Sequence, residues 1–298
     1  MRVTNGMIRN TTLNGLYNNM STLNKTYAQM TTGKKIQTVS DDPIIAGRAL
    51  KLTTSVLENT QYQSNTKEAL SWMEVTEGAL KNMNEILTTI RTKCVQGADG
   101  TLKNEDKGKI KTQIEELWGQ LQEEANVTYA GRYVFSGYKT DKPLMKDDGV
   151  NPEVDGKIKN QHIDYEIGVN STITVNTEGM DVTMNDIKKC VDALKNLDYD
   201  NLSESELHDK FNEALKQVDN IMSDISEKTA DLGSKMSRLD YTKLRLSDQN
   251  VAYSNLLSET QDVDIEEVYT NFNAQYATYQ SALQATAKII KNTLADYL

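Results

Sequence analysis

Proline is nearly absent, with three residues in a chain of 298. Proline ends or kinks helices, so little here interrupts long ones. Cysteine is as scarce: Cys94 and Cys190 are too few for a disulfide framework or a four-cysteine metal site. Both fall on apolar helical seams, where a thiol acts as a small buried hydrophobe. The two histidines, His162 and His208, belong to no metalloprotease, Cys–His or Ser–His–Asp pattern. No run approaches the ~18 apolar residues of a membrane span. The opening MRVTNGMIRNTTLNG lacks the apolar core of a cleaved secretory signal. The protein is expected to stay in the cytoplasm or to leave by a route that reads no such peptide.

Motifs for small ligands fail one by one. The Gly-Lys pairs begin at Gly33, Gly108 and Gly156, but Ala28, Lys103 and Asn151 stand where a phosphate-binding loop needs its first glycine. Asp147-Asp148-Gly149 is acidic enough for calcium, yet Pro152 and Ile158 occupy positions where the calcium loop requires Gly and Glu. Asp41 and Asp42, followed by Pro43, read as a helix cap rather than as metal ligands. No cofactor, metal or catalytic site is expected, and an enzyme is the weakest reading.

Charge is also missing from particular places. The net charge is −10, which disfavours a nucleic-acid partner. Residues 1–40 carry Arg2, Arg9, Lys25, Lys34 and Lys35 and no acid; residues 270–298 carry Lys288, Lys291 and Asp296. Both ends are rich instead in Asn, Thr, Gln, Ser and Ala. Free surfaces usually gain solubility from charge, so two ends that avoid it read as surfaces meant to be covered. The competing reading is a pair of disordered polar tails, and periodicity counts against it.

What the chain does have is spacing of three and four. Leu13, Leu16, Met20, Leu23, Tyr27 and Met30 form a heptad seam that ends near Gly33. Asp42 and Pro43 open a second helix running to about Gln96, a rod of about 80 Å at ~1.5 Å per residue. Its second half has a strict seam: Ala69, Met73, Thr76, Leu80, Met83, Leu87, Ile90, Cys94. Its first half is more polar, with Leu50, Leu57 and Ser64 in the corresponding places. A third helix covers about 102–127, with Ile110, Ile114, Leu117 and Leu121 inward. GRYVFSGY (131–138) reads as a strand, as do HIDYEIGV (162–169) and STITVN (171–176), which alternate with period two. Helical spacing returns at Ile187, Cys190, Leu194 and Leu197. It resumes from Leu207 through Leu257, with the polar Lys243 and Asn250 on the seam. A last helix starts near Asp264, with Phe272, Tyr276, Tyr279, Leu283, Thr286 and Ile290 on its seam.

Hydrophobic residues are 38% and the mean hydropathy is −0.60, low for one compact core and suited to helices that each bury a stripe. The order is nearly palindromic: weakly charged helix, rods, β-rich insert, rods, weakly charged helix. The expected fold is mainly α: an elongated antiparallel bundle of long helices with coiled-coil character and paired termini, plus a β-hairpin and a small β-rich insert. The expected parts are a terminal assembly domain (1–40 with 258–298), a helical rod with the hairpin (41–138 with 182–257) and an outward-facing insert (139–181).

Three stretches carry a family resemblance: MRVTNGMIRN at the start, TTGKKIQTVSDDPIIAGRALKL at 31–52, and GRYVFSGYKTDKP at 131–143. With the closing EEVYTNFNAQYATYQSALQATAKII, they resemble the flagellin superfamily of bacterial axial proteins, over both ends and the rods. Flagellins usually follow the acidic pair with Ala-Ala-Gly. Here Asp41-Asp42-Pro43, the opening Met-Arg-Val-Thr and the GRYVFSG strand are similar to the members that join hook to filament. The insert 144–180 matches nothing in the family.

The resemblance implies a mechanical adaptor, exported unfolded through the flagellar type III pathway to the extracellular flagellum. It implies self-association in a ring, with the other hook–filament junction protein and flagellin as neighbours, and an export chaperone on the C-terminal helix. No membrane partner is implied. The assembly surface is then expected at Leu13, Leu16, Met20, Leu23, Tyr27, Met30, Phe272, Tyr276, Tyr279, Leu283 and Ile290. Asp41, Asp42 and Pro43 are expected at the bend between domains, and Gly131, Arg132, Tyr133, Phe135 and Gly137 mark the β-hairpin. A filament subunit is the nearest alternative; a cytoplasmic coiled-coil scaffold is a second.

Asn, Thr and Gly make the terminal helices weak alone, so they are expected to be largely disordered in the free monomer and to fold on assembly. Trypsin acting on monomer is expected to trim both ends to a core of roughly 40–260; intact ends would refute this.

Overall fold

The computed structural model of the chain describes residues 5–99, 104–146, 149–154, 161–197 and 204–291. Among them are six helices: α1 (Asn5–Thr32), α2 (Pro43–Ala98), α3 (Asn104–Ala125), α4 (Met180–Lys195), α5 (Glu204–Gln261) and α6 (Ile265–Lys291). Three antiparallel strand pairs accompany them: β1 (Thr128–Tyr129) with β2 (Arg132–Tyr133), β3 (Met145–Lys146) with β4 (Gly149–Val150), and β5 (Asp164–Gly168) with β6 (Ser171–Thr174). The fold is mainly α.

Helix ends follow local chemistry. α1 stops at Gly33, whose φ of 70° lies in the left-handed region and whose N–H donates to the Gln29 carbonyl at 2.9 Å. α2 starts where Asp42 Oδ1 accepts the N–H groups of Ile44 (3.0 Å) and Ile45 (3.1 Å). Pro43, with no N–H to satisfy, fits the first helical position. Asp264 caps α6 likewise, accepting from Glu266 at 3.0 Å and Glu267 at 3.3 Å.

The chain divides into two compact units, Met1–Glu58 with Gln249–Leu298 and Asn59–Asp248, the divide falling within α2 and α5. In the central unit the strict seam of α2, from Ala69 to Cys94, is buried at every position. It packs in one apolar cluster with Ile114 and Leu121 of α3, Met184, Ile187 and Leu194 of α4, Leu207, Phe211, Val218 and Ile225 of α5, and Ile167 and Ile173 of the β5–β6 pair. Asn126, just past α3, holds β3 with both ends of its amide: Nδ2 donates to the Met145 carbonyl and Oδ1 accepts the Met145 N–H. The two thiols lie in this cluster. Burial pushes Cys94 up to about 12 and Cys190 up to about 11, so both stay protonated and unreactive at neutral pH.

In the terminal unit α1 lies antiparallel to α6, and Ala49 and Val268 are the only buried apolar side chains among its described residues. This unit has helices and almost no core of its own.

Three sequence expectations need correction. The strand read at 131–138 shrinks to Arg132–Tyr133, because Val134, Phe135, Ser136 and Gly137 are all buried in succession, which no strand alternating between core and water allows. Along the first half of α2, Leu50 and Leu57 are 70% and 65% exposed and Ser64 is exposed too. Stepping by sevens from Met73 gives Thr66, Asn59 and Leu52, and these polar or half-buried residues take the inner face. Helix phase, not side-chain apolarity, decides which residue points inward. On α5, Lys243 is exposed and Thr242 is buried in its place. Asn250 is half-buried, its Oδ1 without a hydrogen-bond partner. The rejected calcium stretch at Asp147-Asp148 lies outside the described residues.

The core is close-packed at Gly97: a Cβ built there would lie 2.5 Å from Cε1 of the fully buried Phe211. Gly97→Ala is expected to destabilise the protein by about 1–3 kcal/mol, read as a lower urea midpoint. An unchanged midpoint would contradict this packing.

Candidate assembly surface

α1 and α6 bury only part of each terminal seam. Leu13, Leu16, Leu23 and Met30 of α1, and Phe272 and Tyr279 of α6, are half-buried. Their seam neighbours are more open: Met20 is 45% exposed, Tyr27 52%, Tyr276 46% and Leu283 41%. The side chain of Ile290 lies outside the described residues. Tyr27, Phe272 and Tyr276 form an aromatic row, with ring centroids 6.1 Å apart in each contact. The row is half open to water, unlike aromatic pairs in a finished core.

On α6 the residues Ile265, Tyr269, Tyr276 and Leu283, spaced four, seven and seven apart, all remain exposed. They share one face, because seven residues is close to two helical turns. Covering such side chains is worth ~1 kcal/mol each when about half their area is still open.

The contact has a polar centre that the seam count missed. Thr26 is buried, and its hydroxyl donates to Gln275 Oε1 at 2.7 Å. Val268 was missed as well. It stands four residues before Phe272, a spacing that could have revealed it.

A short backbone clasp ties the two ends of the unit. Lys35 N–H donates to the Gln261 carbonyl at 2.7 Å, and Val263 N–H donates to the Gly33 carbonyl at 3.0 Å. Lys34 and Asp262 pair as an antiparallel bridge. Lys35 Nζ adds a hydrogen bond to the Glu259 carbonyl at 3.1 Å.

The motif residues Asp41, Asp42 and Pro43 follow. Asp41 Oδ2 accepts the N–H groups of Gln37 and Thr38 and the Thr38 hydroxyl, while Oδ1 pairs with Lys25 at 3.0 Å. The Lys25 ammonium, then the Thr38 and Gln37 amides, hold its carboxyl down at about 2 against an ordinary 3.8. Asp42 caps α2 and Pro43 begins it.

The hairpin motif lies in the central unit. Gly131 (φ 78°) and Ala130 (φ 49°) make the two-residue turn between β1 and β2, both with the positive φ such hairpin turns require. Arg132 pairs with Tyr129 and Tyr133 with Thr128. Phe135 is fully buried, and Gly137 has φ 60°.

No alternative chemistry emerges. A cleft of about 540 Å³ between β6 and α5 contains charged side chains already paired with each other, Lys228 with Asp224 and Lys235 with Asp231, and His162 Nδ1 lies 2.8 Å from Glu178. Among the described residues no cluster of three or more His, Cys, Asp or Glu is placed to hold a metal, and no helix is long and apolar enough to cross a membrane.

Long helices, paired ends and small strand pairs make up the architecture. The bacterial flagellin N-terminal helical region matches residues 3–140 and the flagellin C-terminal helical region matches 215–298. Together they take in most of the chain, and the chain belongs to the flagellin family of bacterial flagellar structural proteins, which are not enzymes. It is 28% identical to flagellar hook-associated protein 3 of Salmonella typhimurium, over 97% of this chain and 95% of that protein. It is 25% identical to a flagellin of Bacillus subtilis, over 91% of this chain and 90% of that protein. A solved structure of a flagellar hook-associated protein from Vibrio parahaemolyticus superposes with a TM-score of 0.63 at 18% identity, covering 74% of this chain and all of that one. That likeness establishes the shared fold. As a member of the flagellin family the chain is a component of the extracellular flagellum.

A depressed carboxyl stabilises the fold fully above its unfolded value and loses that effect as pH falls through its folded value. The Asp41 turn is therefore expected to be intact above pH 3.8 and released as pH falls through about 2. An NMR titration of the Asp41 carboxyl carbon should show that low midpoint, and Lys25→Met should move it up toward the ordinary value. A midpoint near 3.8 in the wild type would refute the geometry.

Proposed function

We propose that this chain is the adaptor that joins the hook to the filament, assembling in a ring through its paired terminal helices. The observation that carries this is similarity to hook-associated protein 3 along nearly the whole of both chains, 97% of this one and 95% of the relative. The Asp41-Asp42-Pro43 turn and the uncovered seam of the terminal unit support it.

In this reading the outward residues Met20, Tyr27, Tyr276 and Leu283, with the rest of the two terminal seams and Ile290, face neighbouring subunits. Residues 1–40 with 258–298 form the assembly layer. Residues 41–138 with 182–257 form the rod, and 139–181 face outward. Asp41, Asp42 and Pro43 mark the change from the assembly layer to the rod, and the Gly131–Gly137 hairpin belongs to the rod. The second junction protein lies on one side and flagellin on the other. The chain reaches its place by type III export without a cleaved signal, escorted by a chaperone on the C-terminal helix. Terminal helices with almost no core fit a segment that travels unfolded and gains its packing on arrival.

A filament subunit is the second reading, favoured by the similarity to the Bacillus subtilis flagellin over 91% of the chain. A deletion strain separates the two. Loss of an adaptor is expected to leave hooks and release filament protein into the medium. Loss of a filament subunit leaves hooks and nothing to release, and that result would overturn the adaptor reading.

A further inference from the structure

We infer that the backbone clasp between Gly33–Lys35 and Gln261–Val263 is the positioning element that sets the register of α1 against α6. The seams themselves do not set it. A one-heptad slip moves Tyr27 from Phe272 to Tyr279 and Leu23 from Tyr276 to Leu283, so each seam residue merely meets another. Charge does not set it either: among the described residues no ion pair joins α1 to α6, and Lys25 is engaged by Asp41 instead. Heptad helices elsewhere fix register with paired charges or a buried polar residue. Among the described residues the one side-chain hydrogen bond between the helices is Thr26 to Gln275. Threonines recur along both helices and glutamines along α6, so a slipped pair can find substitutes.

The clasp has no such degeneracy. Its donors and acceptors are backbone groups at fixed points: one and three residues beyond the end of α1, at the last residue of α5, and two residues before α6. Gly33, with φ 70°, turns its carbonyl toward Val263, and Asp262 is held by its own N–H to the Ser258 carbonyl at 2.8 Å. Gln29 Nε2 donates to the Lys35 carbonyl at 2.8 Å and so ties the clasp to the last turn of α1. From this anchor Tyr27 reaches Phe272 and Thr26 reaches Gln275 without slack. Register in turn decides which residues of the two helices stand side by side on the open face.

Disulfide trapping on the purified full-length chain, which captures the two ends each time they pair even where pairing is transient, tests this without reference to its place in the flagellum. Tyr27→Cys with Phe272→Cys reports the observed register; Tyr27→Cys with Tyr279→Cys reports a one-heptad slip. In register the second pair is offset by ~10 Å along the axis, too far for a disulfide. The native thiols are buried and stay as they are. With the clasp intact, the first pair is expected to close with an excess of roughly tenfold or more, the factor that two net backbone hydrogen bonds supply. Lys35→Pro and Val263→Pro each remove one clasp donor and are expected to cut the excess to about threefold, and the double variant to bring the slipped crosslink close to parity. An unchanged melting midpoint for the central unit shows that the variants are otherwise folded. If both proline variants still close only the first pair, or if the intact clasp already permits both, the inference is wrong. Loss of both crosslinks in both variants also overturns it, because the clasp would then be needed for pairing itself.

Discussion

Each helix of this molecule buries one narrow apolar stripe, and everything else depends on whether something lies against that stripe. In the central unit something does. The inner face of α2 meets α3, α4 and α5, and eight successive seam residues from Ala69 to Cys94 are shut away from water. The unit can carry polar loops, short strands and an acidic exterior because that contact supplies its stability.

In the terminal unit the same kind of stripe has one partner where it has room for more. α1 covers one side of α6, leaving Ile265, Tyr269, Tyr276 and Leu283 open. A helix pair in a unit with two buried apolar residues is marginal, since ordering each backbone residue costs about 1–2 kcal/mol before any contact offsets it. What holds the pair in the single chain is local and specific: the clasp, the Asp41 turn with Lys25, and the Thr26–Gln275 bond. These define geometry more than they supply energy.

Much of this was legible in the sequence, for reasons that differ by element. Helix ends were readable because Asp42, Pro43, Gly33 and Asp264 act within one turn of themselves. The strict seam of α2 was readable because burial and apolarity coincide there. Leu50 and Leu57 misled because they are apolar residues off the helix phase, whereas Asn59 and Thr66 are polar residues on it. The strand at 131–138 misled because Val134 and Phe135 have strand propensity, which tertiary burial overrode. The family motifs were plain in the residues themselves. The clasp could not be read at all. It is made of backbone groups from segments more than 220 positions apart, and no side chain advertises it.

The missing charge at the two ends has a structural counterpart in how their hydroxyls are used. Thr12, Thr22 and Thr31 on α1 each donate to a backbone carbonyl one turn earlier in their own helix. Thr270, Thr278 and Ser281 do the same on α6. A charged side chain on such a face would resist being covered, because taking an unpaired charge out of water costs several kcal/mol. A threonine whose donor is already satisfied within its own helix resists far less: covering it strands no proton and exposes its methyl group to the incoming surface. The terminal helices are therefore soluble enough to exist in water, yet carry little that must be stripped or neutralised when another helix arrives. Polarity without charge gives these faces that property, and it explains why the same composition that weakens α1 and α6 alone suits them to a crowded environment.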